Sequence, residues 1–169
     1  EGMVLFSIPY YVYTEQLAVR KEETKINGVN DLKGKKVGTL SGTVAQEILT
    51  KLEGIDVSVY SGQVEPYEDL AIGRIDAVLL DLPIAAYYAK PNPKLRYAGE
   101  PVGEGFYGIA MRRGDKKLKE EIDKILLKLL RSGELKRIYE KWGIWNEAQS
   151  KLFQKTEGYA GIEESKKAP

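Results

Sequence analysis

Two short segments constrain the fold of this chain more than any other feature. One is residues 31–43, DLKGKKVGTLSGT, and the other is residues 73–81, GRIDAVLLD. Each reads as an apolar strand that ends on polar residues. The first ends in a glycine turn that opens a helix at Thr43, and the second ends at a carboxylate, Asp81. In an α/β sheet such strand ends meet at one rim, where ligands bind. A helix N-terminus offers N–H groups to a carboxylate, and Asp81 offers a counter-ion to an ammonium. A free amino acid carries both of those groups.

The remaining pattern predicts alternation. Residues 4–6 and 17–19 read as short strands around the Pro9-Tyr10-Tyr11 turn, and 36–40 as a buried strand. Thr43 followed by Gln46 is a capping box, predicting a helix to about Leu52 with Ile48, Leu49 and Leu52 inward and Gly54 as its stop. Strands follow at 55–60 and 75–80. Pro66 reads as the first residue of the helix between them, and Pro83 as the opening of the next. Pro91-Asn92-Pro93 stops that helix, and strands over 95–98 and 107–111 close the series. The alternation predicts an α/β fold with a mainly parallel sheet. Beyond Asp115, Leu118, Ile122, Ile125, Leu126, Leu129 and Leu130 line one face of an amphipathic helix. Ser132-Gly133 breaks it, and Leu135, Ile138, Tyr139 and Trp142 give a second helix. After Trp145 the pattern weakens, and 151–169 is expected to be a polar tail or linker.

Composition excludes several chemistries. The 169 residues contain 26 basic and 25 acidic side chains, for a net charge of +1. That balance leaves no basic footprint for nucleic acid. Histidine and cysteine are both absent, which removes Ser-His and Cys-His nucleophilic machinery and makes a zinc site implausible. No cofactor and no metal is expected. The charge runs at 33–36, 116–117, 120–121 and 163–164 read as solvated faces.

Five blocks occur in order: FSIPYY at 6–11, the two segments above, YGIAMRRGD at 107–115 and IYEKWG at 138–143. With them the chain resembles the extracytoplasmic solute-binding proteins, family 3, of amino-acid ABC transporters. The resemblance implies a type 2 periplasmic-binding-protein-like fold, a clamshell of two α/β lobes joined by two crossing strands. On that template, 1–13 is a remnant of lobe 1 with the first crossing. Residues 14–111 are lobe 2 with the second crossing, and 112–150 are C-terminal helices of lobe 1. Most of lobe 1, including a ligand-stacking aromatic and an arginine for the α-carboxylate, is expected to lie N-terminal to Glu1 in the family pattern. A truncated product or one half of a split protein would account for that. The apolar stripe of 118–130 then points to self-association or a partner chain completing the lobe.

The resemblance also assigns a site. Asp81 would pair with the ligand ammonium; position alone equally allows it to cap the Pro83 helix. Thr43 and the amide of Val44 would hold the α-carboxylate, against the simpler reading of a cap with Gln46. Ser41 and Gly42 would let the backbone approach the ligand, and Leu40 would face its side chain or else end the core of its strand. Tyr10, Tyr11, Tyr13, Phe106 and Tyr107 are expected to pack at the crossings. The implied function is capture of a free polar amino acid and its delivery to an ABC permease. The implied location is periplasmic or extracytoplasmic, associated with the membrane through the transporter or an anchor. Two alternatives use the same scaffold: the ligand-binding domain of a receptor or sensor, and a cyclohexadienyl dehydratase-like enzyme. Without histidine, the enzyme would have only carboxylates or tyrosines as its general acid.

Overall fold

A computed structural model describes residues 4–165, with side chains for 4–156. The chain divides into two units, one of residues 4–12 with 106–165 and the other Tyr13–Gly105. In chain order the strands are β1 (Val4–Phe6), β2 (Tyr11–Arg20), β3 (Lys36–Leu40), β4 (Asp56–Tyr60), β5 (Ala77–Asp81), β6 (Leu95–Tyr97), β7 (Val102–Tyr107) and β8 (Ala110–Arg112). The helices are α1 (Val44–Lys51), α2 (Val64–Ala71), α3 (Leu82–Tyr88), α4 (Lys116–Arg131), α5 (Glu134–Trp142) and α6 (Glu147–Ser165).

The larger unit is built on a sheet of order β4-β3-β5-β2-β6, with β7 also paired to β2. The strands of the alternating stretch, β3, β4, β5 and β6, run in one direction as expected, and β2 enters between β5 and β6 the other way, which makes the sheet mixed. β3 runs parallel to β4 and β5, whereas β2 runs antiparallel to β5 and β6. β3, β4, β5 and β6 are joined by helical connections through α1, α2 and α3, and such crossovers are what strands running in one direction require.

β5 is buried on both faces, as a strand covered by helices on each side must be. Ala77 and Leu79 pack with Leu17, Val19, Val37 and Leu49, while Val78 and Leu80 pack with Ala18, Tyr67, Leu70 and Ala85. The first cluster takes in α1, and the second takes in α2 and α3. Each fully buried leucine here contributes roughly 1.5–3 kcal/mol. The helix starts differ slightly from expectation: α2 begins at Val64, with Pro66 third, and α3 begins at Leu82, with Pro83 second. Both prolines still lie in the first turn, where a missing N–H costs nothing. Gly99 has φ +70°, and a Cβ there would sit 2.5 Å from the carbonyl oxygen of Asn27.

In the smaller unit β1 pairs antiparallel with β8, so residues 106–111 fall with it. Tyr11 stacks on Tyr107 at 5.7 Å and meets the edge of Tyr139 at 5.1 Å. The Tyr139 hydroxyl donates to the carbonyl of Tyr10 at 2.8 Å, and the amide of Ile8 donates to Asp123 on α4 at 2.8 Å. Leu126 and Leu130 are buried, but Leu118 and Ile125 of the same stripe are 50% and 56% exposed. About half of the α4 stripe is therefore covered within this unit.

The stretch where the sequence pattern weakens is helical as far as Ser165. A polar side chain anchors it. Gln149 is fully buried; its Nε2 donates to the carbonyl of Val12 at 2.6 Å, and its Oε1 accepts from the Val12 amide at 3.0 Å. The side chain thus satisfies one residue of β2 as a neighbouring strand would. Leu152, Phe153 and Thr156 are buried beside it. Residues 1–3, and 166–169 of the expected tail, lie outside the described residues.

Two outcomes follow for chemical denaturation. Gln149→Ala leaves a buried amide and carbonyl of Val12 without partners, and should cost about 2 kcal/mol or more. Gly99→Ala places a Cβ against backbone at positive φ and should cost about 1–3 kcal/mol, whereas Gly114→Ala, which meets nothing within 4 Å, should stay within about 0.5 kcal/mol of the parent.

Candidate functional site

The register of β3 on β5 builds the rim. Val37 lies opposite Ala77 and Gly38 opposite Val78, and the Thr39 hydroxyl donates to the carbonyl of Leu79 at 3.0 Å. Parallel strands locked in this way end together, so Leu40 and Asp81 finish at the same edge of the sheet. Leu40 is half-buried and packs against the core cluster beneath α2 and α3.

The turn after Leu40 is held by four hydrogen bonds. The Ser41 amide donates to the carbonyl of Tyr60 at 3.1 Å, and the Gly42 amide donates to Oε1 of Gln46 at 2.8 Å. The Thr43 hydroxyl donates to the carbonyl of Leu40 at 2.8 Å and accepts from the Gln46 amide at 3.3 Å. The capping box therefore forms in a shifted version: Gln46 reaches back to Gly42, one residue beyond the cap. Gly42 has φ +70°, a conformation that favours glycine. The first intrahelical bond runs from the Glu47 amide to the carbonyl of Thr43. The amides of Val44 and Ala45 precede it, at the positive end of the helix dipole.

Asp81 occupies the N-cap position of α3, but its side chain makes no capping bond. Its carboxyl is half-buried and turned to a different neighbour. Directly across the antiparallel pair of β2 and β5 stands Glu15, a residue whose functional weight sequence reasoning missed. Glu15 is fully buried, and neither of its oxygens has a hydrogen-bond partner of ordinary geometry. Burial, followed by the charge of Asp81 and a hydrogen bond shared with it, pushes the Glu15 carboxyl up to about 8. Tyr13, on the same face of β2, is also raised, first by burial and then by Asp81, Glu15 and Glu47. The one sequence signal for this pair was a carboxylate inside the otherwise uncharged run of residues 10–19.

The edge of the larger unit therefore carries two groups of opposite polarity, a helix N-terminus and an acidic pair. It can hold a small molecule that has both a carboxylate and an ammonium. Of the expected site residues, Leu40, Ser41, Gly42, Thr43, Val44 and Asp81 all lie along this edge. Among the aromatics, Tyr10, Tyr11 and Tyr107 pack in the smaller unit, whereas Tyr13 belongs to the larger one. Among the described residues no group of three or more acidic ligands is placed to hold a metal ion, and no helix is long and apolar enough to cross a membrane.

Comparison with known proteins places the chain in a family. The model of the bacterial extracellular solute-binding proteins, family 3, matches residues 1–144. The L-cystine-binding protein TcyJ of Escherichia coli is 36% identical over 140 residues, covering 81% of this chain and 53% of that protein. The chain thus spans about half the length of the curated relatives it matches. Among solved structures, an ancestral arginine-binding protein bound to glutamine superposes with a TM-score of 0.75 at 36% identity, covering 84% of this chain and 64% of the other. The amino acid ABC transporter substrate-binding protein AbpA of Streptococcus pneumoniae, bound to L-arginine, gives 0.75 at 32% identity, covering 85% and 64%. With that match over most of its length, and a fold shared with proteins solved around amino acids, the chain belongs to the bacterial extracellular solute-binding proteins, family 3.

Proposed function

We propose that this chain supplies a ligand-binding lobe of an amino-acid-binding component of an ABC transporter. The observation that carries the reading is the pairing, on one sheet edge, of the α1 N-terminus with Asp81. The Val44 and Ala45 amides, with Thr43, receive the α-carboxylate, and Asp81 receives the ammonium. Ser41 and Gly42 let the backbone come close, and Leu40 lines the approach to the ligand side chain. Both contacts are charge-assisted, and they strengthen as water is displaced from the edge. Binding needs no bond to be made or broken, so the protein works as a receptor and not as an enzyme. The lobe would correspond to the larger unit, with the smaller unit contributing the helices of the other lobe. The family supports delivery to a permease at the outer face of the membrane. A partner chain or a second copy would complete the lobe that the smaller unit represents in part.

The relatives named for cystine, and solved with arginine and glutamine, set the order of candidate ligands. A thermal-shift and calorimetric series with the twenty amino acids and cystine tests the reading. A ligand at 100 times its Kd stabilises by about 2.7 kcal/mol, and one or a few amino acids should give such a shift. Asp81→Asn should abolish it while leaving the fold intact by circular dichroism. No shift with any of them, or an undiminished shift in Asp81→Asn, would overturn the assignment.

A further inference from the structure

Glu15 is the least satisfied polar group of the larger unit. It faces Asp81 in register on the neighbouring strand, is fully buried, and has two oxygens without partners of ordinary geometry. The space beside it is closed by small and apolar groups. A Cβ at Gly103 on β7 would lie 3.7 Å from Cγ of Glu15, 3.8 Å from Val44 and 2.8 Å from Ile48. Only a glycine lets β7 pass so near α1 and the glutamate together.

The titratable groups that act on Glu15 and Tyr13 are acids. Asp81 faces Glu15 from β5, and Tyr13 neighbours it on β2. Glu47 on α1 acts on Tyr13, and Tyr67 on α2 is raised in part by Asp81 and Glu15. Glu104, next to Gly103 on β7, is exposed. Two carboxylates set opposite each other on neighbouring strands cannot both ionise cheaply. Glu15 is the fully buried member, and burial together with its neighbour displaces its carboxyl upward.

We propose that Glu15 is a positioning residue for the ligand ammonium: it donates its proton to Asp81 in the empty site and surrenders that proton to solvent when an ammonium docks on Asp81. This rests on the reading of Asp81 as the ammonium partner. The step balances. One carboxylic O–H is lost, one proton enters water, and the positive charge of the incoming ammonium replaces it beside two carboxylates. The consequence is capture linked to pH. Below the range in which Glu15 titrates, the ligand must displace a proton, so affinity rises as pH rises toward about 8 and levels off once the free site has lost it. Linkage limits the slope to about tenfold per pH unit for one proton released.

The test is calorimetric titration of the protein with arginine, glutamine and cystine, in two buffers of different ionisation enthalpy, across about pH 6 to about pH 8.5. The parent should release up to about one proton per ligand, with affinity rising across that range. Glu15→Gln, which keeps the shape and the donor but cannot titrate, should bind with no proton release and a flat profile. Release that persists in Glu15→Gln, or no release by the parent, overturns the proposal while leaving amino-acid binding in place. Binding of none of the three overturns both readings. Unfolding of the free protein gives an independent measure. The native pair binds a proton that the unfolded chain has lost above the ordinary glutamate range, so stability is full at low pH and falls as pH rises toward 8. Glu15→Gln should therefore gain in Tm over the parent at about pH 8.5 and match it near about pH 5; equal Tm differences at both ends would refute the shared proton.

Discussion

The register of β5 between β3 and β2 governs what this chain can do. Four consecutive residues of β5, Ala77 to Leu80, are fully buried, so the strand cannot slip by a residue without carrying its apolar side chains into the wrong cluster. Asp81 is the first residue beyond that run, and its position is set by the core it terminates. The same register brings the end of β3, and with it the turn into α1, to the same edge. If β5 ran antiparallel to β3, the carboxylate and the helix N-terminus would stand at opposite edges of the sheet, and no single small molecule could touch both.

Much of this was legible in the residues because the signals are local. The glycine turn, the Thr43 cap and the apolar runs of β3 and β5 each announce themselves within a dozen positions. What escaped depends on pairing. Glu15 looks like one polar residue in a strand until the antiparallel register sets it against Asp81, and nothing in a linear pattern supplies that partner. The mixed direction of the sheet was hidden for the same reason, since β2 precedes the helical crossovers and carries no mark of its orientation. The helix after Trp145 was missed because a polar residue anchors it. Gln149 is bound to both polar backbone groups of Val12 across a separation of 137 residues, and periodicity analysis counts a buried glutamine as surface.

The acidic pair has a cost that the rest of the fold must offset. A buried carboxyl whose one close polar neighbour is another carboxyl is unfavourable even when neutral, and a leucine or valine on that face of β2 would join the cluster formed by Leu17, Val19 and Leu79 without penalty. The fold retains it at the one place where its charge state acts on the residue at the edge. Groups left short of partners inside otherwise consistent structures tend to lie where the structure does something besides fold.

That placement also resolves a conflict in electrostatics. Two free carboxylates at the edge would attract any cation, including inorganic ones, and would oppose the carboxylate end of a zwitterion close by. A shared proton reduces the pair to one negative charge, which balances the partial positive charge at the start of α1. On the proposed reading the edge would present one site of each sign to solvent, matched to a neutral molecule with separated charges. Proton release on docking restores the second carboxylate only after an ammonium is present to face it. On that reading the buried glutamate would tune the site for a zwitterion without touching the ligand itself.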